Sequence, residues 1–224
     1  MDYTKLFDVL SWRQKIARTG DARFLGGGQV NVTARQAAEV IQQHLGPKAP
    51  TITHAKVGRL VATGILTDIS KTRWIALDYD EVEAFATRTR YMPRPSIPYD
   101  RVMRVSVIAM RRDRIIGLNG RPWRDWAGID HLNSRGLPAR EVERAWTGVW
   151  PCSDETADSV IGYPLVGSNW GYVHPDLCRI ITGWWREPQS RRVAFDTRSD
   201  PALQRVIGTG IWVDIPPGSI ADLL

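Results

Sequence analysis

The sequence predicts an α+β protein built from two units, a small helical unit carrying a hairpin and, after it, a tryptophan-rich, strand-rich unit of small-barrel type. Three observations predict it. Between residues 33 and 88, segments with apolar residues at helical spacing flank a pair of short β-type runs. Pro93, Pro95 and Pro98 then interrupt the chain with residues that favour extended backbone. Beyond them lie β-branched runs, Gly-containing turns and all but Trp12 and Trp74 of the ten tryptophans. The boundaries follow: a helical unit over 1–92, a linker over 93–100 and a second unit over 101–224.

Residues 3–18 place Leu6, Val9, Leu10 and Ile16 at helical spacing before Gly20. This predicts one amphipathic helix, which packs on its neighbour or serves self-association. Gly26, Gly27 and Gly28 form a joint, with no Gly-Lys-Ser/Thr behind them to make a phosphate loop. Thr33-Ala-Arg-Gln36 is a capping box, and Ala34, Ala37, Ala38, Ile41 and Leu45 form the buried stripe of the helix that it opens. Gly46-Pro47 ends that helix. Thr51 or Thr53 caps the next one, which buries Val57, Leu60 and Val61 and stops at Gly64. Residues 65–69 and 73–77 then flank Ser70-Lys71-Thr72 as a hairpin with a basic tip, and Asp78 to Glu81 opens a third helix with Val82, Phe85 and Ala86 inward. Trp74 fits the core of such a hairpin better than an exposed position.

In the second unit, residues 102–110 read as a strand and Asn119-Gly120 as a turn. Residues 138–146 read as a helix with Pro in its first turn, and Ser153 caps another that ends at Gly162. Residues 177–185 and 192–195 read as strands. Asp200-Pro201 starts a last helix stopped by Gly208, and residues 211–215 form a closing strand.

Two helices, a basic-tipped hairpin and a third helix, in that order, make a winged helix-turn-helix. In such a unit an apolar stripe anchors the second helix while its donors enter the major groove. Thr53, His54, Lys56, Arg59 and Thr63 are the donors here, Lys71 and Arg73 lie on the hairpin, and Arg35 follows the first cap. A formal charge of +6 and a pI near 9.6 suit an anionic partner. The segments Thr33-Ala-Arg-Gln-Ala-Ala, Val57-Gly-Arg-Leu-Val-Ala-Thr-Gly-Ile-Leu and Arg73-Trp-Ile-Ala-Leu-Asp-Tyr-Asp-Glu-Val-Glu-Ala-Phe resemble the excisionase and MerR-type winged helix-turn-helix. The resemblance implies that Thr53, His54, Lys56 and Arg59 lie in the major groove and Lys71 and Arg73 on phosphates. One departure is the longer turn between the first two helices, which contains Pro47 and Pro50 and leaves the docking angle open.

Chemistry is weakly signalled. Every basic residue after Lys71 is Arg, which removes the lysine of a restriction-type nuclease centre, a phosphate loop or a Schiff base from the second unit. Asp130-His131 opens like a His-Asn-His nuclease core, but the later Asn and His are missing at that spacing. His131, Cys152, His174 and Cys178 are the residues available to zinc, without the paired cysteines of a zinc site. No enzyme activity, cofactor or metal is therefore expected. Of the tryptophans, Trp184 and Trp185 are adjacent, so on a strand they point to opposite faces and one of them needs a second partner. Trp185 with Arg186, Arg191 and Arg192 is expected first as a second DNA contact, while such an exposed aromatic also suits a small-ligand cage or a protein interface, so the second unit extends the DNA footprint, senses a ligand or assembles protomers.

Two unpaired cysteines and no apolar run of membrane length lead to the expectation of a cytoplasmic, nucleoid-associated protein without a membrane partner. Its partner is double-stranded DNA, and its role is transcriptional regulation or phage-type recombination. The alternatives are a metal-dependent DNA-processing nuclease and a protein-interaction adaptor.

Overall fold

Thr33 begins the first helix as its sequence requires. In the computed structural model its hydroxyl accepts the Gln36 amide at 3.3 Å, while the Gln36 side-chain oxygen accepts the Thr33 amide at 2.8 Å. The structure describes residues 24–25, 29–70, 72–92, 99–132, 134–215 and 220–222. The expected helix over 3–18, the triple glycine, Lys71 and the prolines at 93, 95 and 98 lie outside the described residues.

Strand β1 (Phe24–Leu25) pairs antiparallel with β2 (Gln29–Thr33), which leads into α1 (Ala34–Leu45). The long turn behind α1 is held by one side chain: Gln42 donates to the Gly46 carbonyl at 3.1 Å and accepts the Ile52 amide at 2.7 Å. That bridge seats Ile52 in the core before α2 (His54–Ala62), whose N-cap Thr53 accepts the Lys56 amide. β3 (Ala76–Asp78) follows, then α3 (Tyr79–Arg88), with Val82, Phe85 and Ala86 buried as expected. The Glu81 carboxylate accepts both the amide and the hydroxyl of Thr67, which ties the connection after α2 to α3.

The hairpin expected over 65–69 and 73–77 is corrected. Ile69 donates one backbone hydrogen bond to Ala76, but the Ala76 amide goes to the Asp68 carboxylate, and β3 takes β2 as its strand partner with Val32 opposite Leu77. The Asp68 side chain thus competes with the ladder and leaves a loop where a strand pair was predicted.

The second half is mixed α and β. β4 (Arg90–Tyr91) and β5 (Arg101–Ser106) precede a hairpin of β6 (Arg111–Ile116) and β7 (Pro122–Ala127), with Gly120 at positive φ in its turn. Then come α4 (Ala139–Thr147), β8 (Gly148–Trp150), α5 (Asp154–Ser159), β9 (Pro164–Asn169), β10 (Tyr172–Arg186), β11 (Val193–Arg198), α6 (Pro201–Ile207), β12 (Ile211–Trp212) and β13 (Ile220–Asp222). The main sheet runs β13-β5-β9-β10-β11-β8, with β5 and β9 parallel. Among the described residues its outer strands β13 and β8 do not pair with each other, so the small-barrel closure expected as one form of this α+β unit is not seen.

Period-2 alternation assigns its two faces. Val102, Val166 and Ile180 pack with Leu203 and Ile207 of α6, whereas their neighbours Met103, Leu165 and Ile181 pack with Trp146 of α4 and with Ala157 and Val160 of α5 and the turn after it. The same alternation resolves the adjacent tryptophans. Trp184 joins the face covered by α4 and α5, and Trp185 meets Trp123 of the β6–β7 hairpin at 5.5 Å between ring centroids.

The two halves share a core. Trp212 and Tyr172 are buried in the helical cluster, with Phe85 5.0 Å from the Tyr172 ring and 6.5 Å from that of Trp212. β4 runs parallel to β12, and the Met92 amide donates to the Trp212 carbonyl at 2.9 Å. Among the described residues, no helix is long and apolar enough to cross a membrane.

Candidate nucleic-acid interface

Helix α2 turns one side into the core through Val57 and Leu60, which leaves Thr53, His54 and Arg59 exposed. Its C-terminal end is closed off. Asn169, at the end of β9, donates to the Arg59 carbonyl at 2.8 Å and to the Thr63 hydroxyl at 2.6 Å. Thr63 is only 2% exposed, and its own hydroxyl donates to the Arg59 carbonyl. Its expected role as a groove contact is therefore corrected: it completes the helix C-terminus and faces protein.

The N-terminal half of α2 lies beside a shallow cleft of about 410 Å³ whose walls include Lys56, Arg104, Ser106, Trp170 and Asp214. Lys56 is half-buried there, with its ammonium donating to the Thr51 carbonyl at 2.6 Å. Burial holds its pKa below the usual value, Asp214 opposes that shift and Arg104 adds to it. Arg104 on β5 is buried, and its Nε donates to the Ser168 hydroxyl. Burial lowers its pKa to about 10, against the pull of Asp214. Two cations thus share one carboxylate, and an anion entering the cleft would relieve the imbalance.

Trp170 is the residue that sequence reasoning missed. Asn169 pairs with Tyr172 across a two-residue turn, Trp170 and Gly171, and both turn residues have positive φ, 52° and 105°. Asn or Gly is the usual first residue of such a turn, and a bulky side chain there costs about 1–2 kcal/mol. Trp170 is nevertheless 46% exposed, with the Arg59 guanidinium 5.6 Å from its ring centre. Strain at an exposed aromatic is more readily explained by use than by packing. The Trp-Gly pair closing a hairpin was the available signal. Trp170→Asn is expected to leave the denaturation midpoint nearly unchanged, because relief of the turn offsets the lost ring contact. It should also free the Arg59 guanidinium, which loses the ring that holds it.

Arg35 is exposed on the first turn of α1. Arg73 is exposed, 4.7 Å from the ring centre of Trp74, which is itself 70% exposed, contrary to the expectation of a core residue. Lys71 lies outside the described residues. The expected second contact is not assembled. Trp185 is half-buried against Trp123, and Arg186 pairs with Asp154 and donates to the carbonyls of Cys152 and Arg191. Arg191 and Arg192 remain exposed, but the aromatic that was to work with them is packed.

The suspected zinc quartet does not form either. His131 and His174 stack with ring centroids 4.1 Å apart, whereas Cys178 is buried with its thiol on the His174 carbonyl, and Cys152 lies by Arg186. Burial lowers the pKa of both histidines; for His174 the neighbouring His131 adds to the effect and the value falls to about 4. No family model matches the chain, and neither a curated protein nor a solved structure is similar to it.

Proposed function

We propose that the protein is a sequence-specific double-stranded DNA-binding protein of the winged helix-turn-helix kind, acting as a transcriptional regulator or a phage-type recombination factor. Helix α2 is its recognition helix. The observation that carries this reading is the exposed side of α2, with Thr53 and His54 at its N-terminus beside the Lys56–Arg104 cleft and Arg59 exposed in its last turn. Recognition helices read base edges with their N-terminal residues, and adjoining cations fix the register on phosphates.

The second half extends the footprint through the exposed Trp170. Arg73 and Trp74 are exposed on the loop that stands where the wing was expected, and the resemblance assigns Lys71 to phosphate. His54 and Arg59 supply donors for base edges, Arg59 suiting guanine O6 and N7.

Selection of bound duplexes from a random pool by the full chain tests the proposal. A shared motif is expected among the survivors, and an unenriched pool would contradict it. Divalent-metal-dependent cleavage of the bound duplex would instead favour the DNA-processing alternative. On the selected site, Arg73→Ala, at an exposed position, should weaken specific and random duplexes alike and lower the slope of log affinity against log salt by about one.

A further inference from the structure

The histidine pair lies where the loop after β7 meets the end of α2. The His131 amide donates to the Thr63 carbonyl at 2.9 Å, and the loop presses on Gly64 so closely that a Cβ there would come within 2.6 Å of an Asp130 carboxylate oxygen. His174 and Asp176 come from β10. One ring nitrogen of each histidine and one carboxylate oxygen of Asp176 all lie within 4.8 Å of one another. The Nε2 atom of His131 is buried and has no hydrogen-bond partner.

An orphaned buried nitrogen costs stability unless something occupies its lone pair. The neighbouring ring is 4.1 Å away by centroid, and no hydroxyl or carbonyl takes the role. The cluster opens into a cleft of about 710 Å³ whose walls also carry Glu81, Ser134 and Glu143, so an ion has a path of entry and room for water.

We infer that His131, His174 and Asp176 form a binding site for a divalent late first-row transition ion of the zinc, cobalt or nickel class. Two imidazoles with one carboxylate match that class, whereas magnesium and calcium prefer all-oxygen shells. Ligand atoms up to 4.8 Å apart must close by roughly an ångström to share an ion with bonds near 2.0–2.2 Å. Asp176 is the ligand free to move, its side chain being 76% exposed. The ion would fasten the loop that holds the Thr63 carbonyl to β10, and so stiffen the seat of α2 without touching its exposed face. The sequence pointed to both histidines but paired them with cysteines; Asp176, two residues beyond His174, completes the set instead.

Cobalt(II) and zinc titrations of the untagged full chain test the site. One equivalent of cobalt should give the visible bands of a low-coordinate ion, and zinc should both quench them by competition and raise the thermal midpoint. His131→Ala and His174→Ala should each weaken binding by about 100-fold or more. Asp176→Asn, at an exposed position that leaves folding intact, should weaken it by about tenfold. Circular dichroism and metal-free DNA binding of each variant separate loss of the site from loss of the fold. Absence of zinc and cobalt binding by the folded wild type, or affinity unchanged in folded Asp176→Asn and His131→Ala, would overturn the inference.

Discussion

Replacing Trp212 by Ala is expected to lower the unfolding free energy by about 3–5 kcal/mol, the range for removing a fully buried large aromatic. Trp212 is 0% exposed and stands where the halves meet, its ring 5.4 Å from that of Tyr172 and 6.5 Å from that of Phe85. Its strand pairs with both β10 and β4. The cavity would open in a seam of rigid sheet and helix that cannot collapse to fill it, so the upper part of the range is expected. Domains of this size hold about 5–15 kcal/mol in all, so the variant should sit close to unfolding. Trp212→Phe should cost much less. The indole Nε1 is buried without a hydrogen-bond partner, and its removal forfeits no polar contact. Urea denaturation followed by circular dichroism measures both. Similar midpoints for Trp212→Ala and wild type would show that the seam does not hold the halves together.

The second large effect concerns recognition. Arg59→Ala should reduce discrimination between the selected site and random duplex by about 1–3 kcal/mol, the value of one good bidentate contact to a base. Arg59 is exposed and its guanidinium is placed by Trp170, so its removal deletes a preset donor without opening the core. Lys71→Ala, at a position assigned to phosphate, should weaken all duplexes similarly and leave discrimination intact. Competitive binding at fixed salt separates the two results. Equal loss on specific and random DNA for Arg59→Ala would remove it from base reading.

What could be read in the sequence was local. The Thr33–Gln36 box, the Thr53 and Ser153 caps, the Asn119-Gly120 turn and the Asp200-Pro201 helix start each need only residues a few places apart, and each appears where the pattern put it. Contacts between distant segments left no such trace. Asn169 closes the end of α2 from 110 residues beyond Arg59, and that contact turned Thr63 from an apparent groove donor into a buried cap. Trp212 and Tyr172 belong to the core of the helical unit, although composition grouped them with the second half. The predicted strand pair failed for a local reason of its own, because one carboxylate, Asp68, took the amide that the ladder needed. One of the adjacent tryptophans was expected to need a second partner, and it is Trp185, which packs against Trp123.

Guanine N7 methylation interference on the selected duplex, run with wild type and with Arg59→Ala, tests most directly whether α2 enters the major groove. N7 is presented there. Methylation should block wild-type binding at clustered guanines, and at least one of those positions should become indifferent in Arg59→Ala. Binding that tolerates N7 methylation throughout the site, or an interference pattern identical in both proteins, would contradict the account.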